Sequence, residues 1–114
     1  MSDQLFRYLD KLQKESINHG DGQKIVFRRN EQLNNNLTQI AYGEFKPNEY
    51  CELHHLPTMD EYFYFIEGEG IYIVDNEDIK IKPGTFLEIP AQKEHKLKAT
   101  GKSVLKFVYW GVAK

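Results

Sequence analysis

From residue 23 onward the chain breaks into short runs in which apolar and polar residues alternate, separated by Gly, Pro, Asn and Asp. A period of two marks half-buried strands, and the punctuating residues tolerate the dihedral angles of tight turns. The pattern predicts strands over 24–29, 37–45, 50–56, 62–66, 71–74, 79–82, 85–89, 95–99 and 103–110. Short strands at such regular spacing point to an all-β sandwich or barrel. Asp75-Asn76-Glu77-Asp78 has the composition of a calcium loop, but alternation on both sides makes a hairpin turn the better reading. The first residues follow another period. Leu5, Phe6, Leu9 and Leu12 recur at helical spacing, while Arg7, Asp10, Lys11 and Lys14 fall elsewhere on the wheel. An N-terminal α-helix over 3–17 is expected, capped by Ser2 or Asp3 and stopped by Gly20 with Asp21-Gly22. Its apolar stripe would pack on the barrel or on a partner subunit. His19 is expected in the solvated loop that follows.

Length and charge narrow the function. A chain of 114 residues suits one domain, 1–114, with one hydrophobic core. Fifteen Lys and Arg against seventeen Asp and Glu leave a net charge of −2, without the basic footprint that phosphate backbones require. No nucleic-acid partner is expected. The longest apolar runs, such as 62–66, are far too short to span a bilayer, and no basic stretch leading into an apolar one marks a signal peptide. The single cysteine, Cys51, cannot form an internal disulfide, which fits a reducing cytoplasm.

The candidate chemistry lies on three separate strands. His54, Glu61 and His95 are donors that only a folded barrel could bring together. Glu61 opens a strand of aromatic and aliphatic residues, where a carboxylate is costly to bury unless something positive or hydrogen-bonding meets it. The segments around these residues, from Glu52 to Gly68 and from Pro83 to His95, resemble the paired motifs of the cupin superfamily. The first family motif holds a glycine, a His-x-His pair, a glutamate and a second glycine. The second holds a glycine, a proline, a further glycine and a histidine, and ends in an asparagine. Glu61 and Gly68 match the first, while Gly84, Pro90 and His95 match the second. The resemblance covers roughly 37–110 and implies a double-stranded β-helix, the jelly-roll barrel, with one divalent metal inside.

Departures from the pattern matter equally. Asn48 stands at the family's first glycine, Leu56 at the second histidine of the pair, Gln92 at the later glycine and Ala99 at the final asparagine. The four-ligand site the resemblance implies thus reduces here to His54, Glu61 and His95. Two histidines and one carboxylate suit non-heme iron and tolerate zinc, nickel or manganese, with positions left open for a small molecule. Strand alternation separates His55 from His54 and Leu56. Spacing to Glu61 favours His54, whereas the shorter family form would make His55 the ligand instead. Phe63 and Phe65 should share the face of Glu61 and line an apolar pocket, which disfavours a sugar. Cys51 is expected to be a buried structural thiol.

The function expected is a metal-dependent, oxygenase-like enzyme acting on a small molecule. A non-catalytic binding or sensory module, and a sugar isomerase or epimerase, are the alternatives. Apolar surface on the N-terminal segment and on 24–29 leads to the expectation of a homodimer.

Overall fold

The alternating runs become ten strands in the computed structural model, which describes residues 5–18, 20–54 and 56–114, His54 by its backbone alone. They are β1 (Glu15–Ser16), β2 (Gln23–Arg29), β3 (Leu37–Phe45), β4 (Tyr50–His54), β5 (Met59–Glu67), β6 (Gly70–Val74), β7 (Glu77–Ile81), β8 (Phe86–Ile89), β9 (His95–Ala99) and β10 (Leu105–Ala113). All pair antiparallel, in a six-stranded sheet ordered β1-β2-β3-β10-β5-β8 and a four-stranded sheet ordered β4-β9-β6-β7. The two inner faces bury Phe45, Phe63, Phe65, Tyr72, Ile81, Leu87, Ile89, Leu97, Leu105 and Phe107 in one cluster. These residues fall on alternate positions, which is why the period-two reading found the strands.

The N-terminal α-helix does not form over the described part of 3–17. A single 3₁₀ turn at Leu9–Lys11 and the two-residue strand β1 take its place. A helix of that length is marginal in water unless its apolar face is buried. Here the backbone pairs with β2 instead, Glu15 opposite Lys24 and Ser16 opposite Gln23. Leu9 and Leu12 share a depression on the outer face of the large sheet with Ile25 and Tyr42, so part of the apolar stripe is used without a helix. Leu5, Phe6, Tyr8 and, at the rim of that depression, Leu9 remain exposed. The proposed caps Ser2 and Asp3 lie outside the described residues, as does His19.

The hairpin joining β6 to β7 turns on Asp75 and Asn76 alone, both with positive φ (46° and 69°). That is the signature of a two-residue type I′ turn, for which Asp and Asn are suited. Glu77 and Asp78 belong to β7 rather than to the turn. The Asp75 carboxylate accepts the Glu94 N–H at 2.9 Å and lies 3.2 Å from Lys93 Nζ. It thus anchors the loop that leads into β9. Among the described residues, no helix is long and apolar enough to cross a membrane.

Candidate functional site

Glu61 and His95 come together across the barrel interior. His95 begins β9 and is 1% exposed, while the Glu61 side chain, near the start of β5, is 13% exposed. His95 Nε2 lies 3.3 Å from Glu61 Oε1, and Nδ1 lies 2.9 Å from the Lys93 carbonyl oxygen. A carbonyl only accepts, so Nδ1 carries a proton and donates it there. In the neutral ring Nε2 then presents its lone pair toward Glu61. Histidines that ligate metals are commonly fixed in this way, with the second ring nitrogen donating to a backbone carbonyl.

The loop between β8 and β9 supports this arrangement. Gln92 N–H donates to the Leu56 carbonyl at 3.0 Å, and Ala91 N–H donates to Asp60 Oδ1 at 2.7 Å. The segment that carries Lys93 and His95 is therefore tied to the segment that leads into Glu61. Gln92 achieves this with φ of 74°, in the left-handed region where the family pattern has a glycine, and Asn48 likewise has φ of 72°. Both departures from the motif keep the backbone that glycine would adopt, at a cost of roughly 1 kcal/mol or more for a residue with a side chain.

The backbone of β4 places His54 opposite His95 in register. Cys51 pairs with Leu97, so three steps along β4 match two along β9, and a bulge between Cys51 and His54 absorbs the extra residue. Without it Leu53 would stand opposite His95. Instead Leu53 is 54% exposed. The side chain of His54 and the whole of His55 lie outside the described residues. Among the described residues, no group of three metal-donor side chains converges.

Next to Glu61 is a cavity of about 150 Å³ inside the barrel. Phe63, Phe45, Phe107 and Leu97 supply apolar wall, and Leu56 joins them. Phe63 stacks on Tyr109 with ring centroids 5.5 Å apart, its neighbour across β10 in register. Phe65 shares the inward face but is fully buried in the core and does not line the cavity. The wall is also more polar than the sequence suggests, because Asn18, Gln23, Lys24, Gln39, Tyr72 and Tyr109 contribute to it. That removes the objection to a polar ligand. Gln39 was missed because Gln39, Ala41 and Gly43 form the inner face of β3 while the bulkier Ile40 and Tyr42 face outward, the reverse of the usual alternation. Inward-facing small and amide residues within a strand were the available signal.

Burial and the nearby Glu61 charge push the Cys51 thiol up to about 12. It is therefore a neutral thiol at physiological pH in the metal-free protein. The same two causes raise Tyr72 and Tyr109, so both phenols keep their protons.

A cupin-domain family model matches residues 41–111, more than half of the chain. The chain belongs to the cupin domain family. Over 56 residues this cupin is 36% identical to an uncharacterized protein of Methanocaldococcus jannaschii, a stretch that spans 49% of this chain and 45% of that protein. Its fold is similar to that of a predicted oxalate decarboxylase from Thermotoga maritima, with TM-score 0.86 and 21% identity over 96% of this chain and all (100%) of that one. It is also similar to the polyketide cyclase RemF of Streptomyces resistomycificus, with TM-score 0.81 and 13% identity over 100% of this chain and 81% of that one. At such identities the likeness shows a shared cupin barrel and no shared chemistry.

Proposed function

We propose that this cupin binds one divalent metal inside its barrel, held by His54, Glu61 and His95, and uses it in oxygenase-like chemistry on a small molecule. The observation that carries this reading is the Glu61–His95 pair, with Nδ1 of His95 committed to the Lys93 carbonyl and Nε2 aimed at the carboxylate. An imidazole nitrogen and a carboxylate oxygen are donors that suit iron, manganese, nickel and zinc alike. His54 is included because β4 sets it opposite His95. When bound, such a metal supplies Lewis acidity toward a chelating ligand. The chain's own contribution is to hold the donors in place, through the Lys93 and Leu56 carbonyls, and to limit water with the Phe63 and Leu56 wall. Tyr72 and Tyr109 serve as hydrogen-bond donors rather than bases, since both phenols stay protonated.

Elemental analysis of protein purified without a metal-affinity tag tests the reading. The expected result is close to one equivalent of iron, manganese, nickel or zinc per chain. Anaerobic Fe(II) followed by nitric oxide should give a high-spin iron–nitrosyl spectrum. Tight zinc or nickel binding with no iron binding would leave a binding module, the reading that Leu56 in place of a ligand favours. Protein that takes up none of these metals would leave a hydrogen-bonded Glu61–His95 pair and no metal site.

We further propose a homodimer in a cytoplasmic setting. Leu5 is 98% exposed and Phe6 60%, and Tyr64, Ile66 and Phe86 form a second exposed apolar group on β5 and β8. Surface of this kind on neighbouring strands is what a second copy would cover. Light scattering is expected to give twice the 13.4 kDa chain mass. Ile66→Glu combined with Phe86→Glu should give monomer if β5 and β8 form the interface. A monomer from the unmodified chain at micromolar concentration would refute the dimer.

A further inference from the structure

Lys24 is the inward charge that the proposed metal site does not use. It stands on β2 opposite Gly43, lines the cavity and is half-buried. Its Nζ donates to Gln39 Oε1 at 3.3 Å. Among the described residues, no carboxylate lies within ion-pair distance of it. Glu15, its neighbour in register on β1, is engaged by Arg29. A neutral amide oxygen satisfies one of the three ammonium donors and none of the charge. Holding a cation part-way out of water without a counter-charge is unfavourable, and such arrangements are more common at binding sites than elsewhere.

The surroundings fit an anion in that place. Tyr109 and Gln23 line the cavity beside Gln39. Gln39 and Glu61 flank Gly111 in register, one on each neighbouring strand. Two strand spacings, about 10 Å, therefore separate Gln39 from Glu61 along the large sheet. Lys24, Gln39 and Glu61 all line the cavity of about 150 Å³. An apolar cavity of roughly 150 Å³ holds a benzene-sized molecule.

We infer that the cavity takes a small organic carboxylic acid, with its carboxylate on Lys24 and Gln39 and its apolar body against Phe63 and Phe107. This deepens the proposed function by naming a substrate class, but the seat at Lys24 does not require a metal. The Lys24 ammonium supplies the charge, and the Gln39 oxygen fixes where that ammonium points. A neutral amide of the same shape would fill the same space and lose the charge-assisted bond.

The test uses the full chain, once stripped with chelator and once loaded with metal, titrated by NMR. The probes are benzoate and 3-methylbutanoate, each beside its amide. The carboxylates are expected to bind more tightly than the amides by on the order of ten-fold to a hundred-fold, the scale of one hydrogen bond to a charged group. Lys24→Met should bring the carboxylates down to the level of their amides in both metal states. Lys24→Gln provides the same comparison should the methionine variant fail to fold. Equal binding of acid and amide by the unmodified chain would overturn the inference, as would failure of both carboxylates to bind. A preference that survives loss of the Lys24 charge but vanishes on chelation would place the anion on the metal, which overturns the Lys24 seat and keeps the metal. A preference that the stripped unmodified chain keeps and the stripped Lys24→Met chain loses supports the seat even if no metal is ever found.

Discussion

His95→Ala is expected to lower metal affinity by at least roughly a hundred-fold, at or beyond the upper end of what is lost when only a partner of a ligand is removed. The same result is expected for Glu61→Ala and for His54→Ala, while His55→Ala should retain the metal. The reason lies in the geometry. His95 is buried, its orientation is set by the Lys93 carbonyl, and its second nitrogen meets Glu61 at 3.3 Å. No other described side chain is placed to substitute for it. Isothermal titration with Zn(II) and Fe(II) measures the loss, and circular dichroism checks that each variant is folded. A metal-free account makes a different forecast. In that case Glu61 and His95 form a polar pair in the barrel interior, and removing one partner leaves the other unsatisfied at a cost of about 1–3 kcal/mol or more. Large destabilisation with no metal binding in the unmodified chain would select that account. Retention of metal by His54→Ala together with its loss in His55→Ala would show that the bulge in β4 does not decide the ligand.

Gly68→Ala is expected to destabilise the fold by about 3 kcal/mol or more, and Gly84→Ala by only about 1–2 kcal/mol. Both glycines have positive φ, 87° and 90°, so both variants pay the left-handed penalty. Their surroundings differ. A Cβ on Gly68 would lie 2.5 Å from the Val104 oxygen and 2.6 Å from Leu105 Cα, backbone atoms that cannot swing aside. A Cβ on Gly84 meets nothing within 4 Å. Gly68 sits where the chain leaves β5 in one sheet for β6 in the other, so a shift there would be felt in both. For a chain of this size each kcal/mol corresponds to about 4 °C in melting temperature. Thermal melts should therefore fall by on the order of 10 °C for Gly68→Ala and by about half that for Gly84→Ala. Similar melts for the two variants would show that the close approach at Gly68 relaxes without cost.

Much of this protein was legible in its residues alone. Strands 37–45 and 95–99 were placed to the residue, because buried strands alternate with a period that local sequence records directly. The motif positions Gly68, Gly84, Pro90 and His95 marked the cupin domain for the same reason, since turn geometry and a buried donor restrict which residue types can stand there. Helical spacing at Leu5, Phe6, Leu9 and Leu12 misled, because periodicity reports only what a segment can do in isolation. At the end of that segment Glu15 and Ser16 pair with the edge of β2 instead, an arrangement that no local pattern encodes. Three features were settled by the tertiary structure. The bulge between Cys51 and His54 exists only relative to β9, so no reading of β4 alone could choose the residue opposite His95. The Glu61–His95 contact joins strands from two different sheets and needs both to be in place. Among the described residues Lys24 has no carboxylate within ion-pair distance, and Glu15, in register with it on β1, is paired with Arg29 across the fold. Local sequence determined the strands, the turns and the family. Which polar side chains share the barrel interior was decided by long-range register, because that register is fixed by the packing of the whole fold.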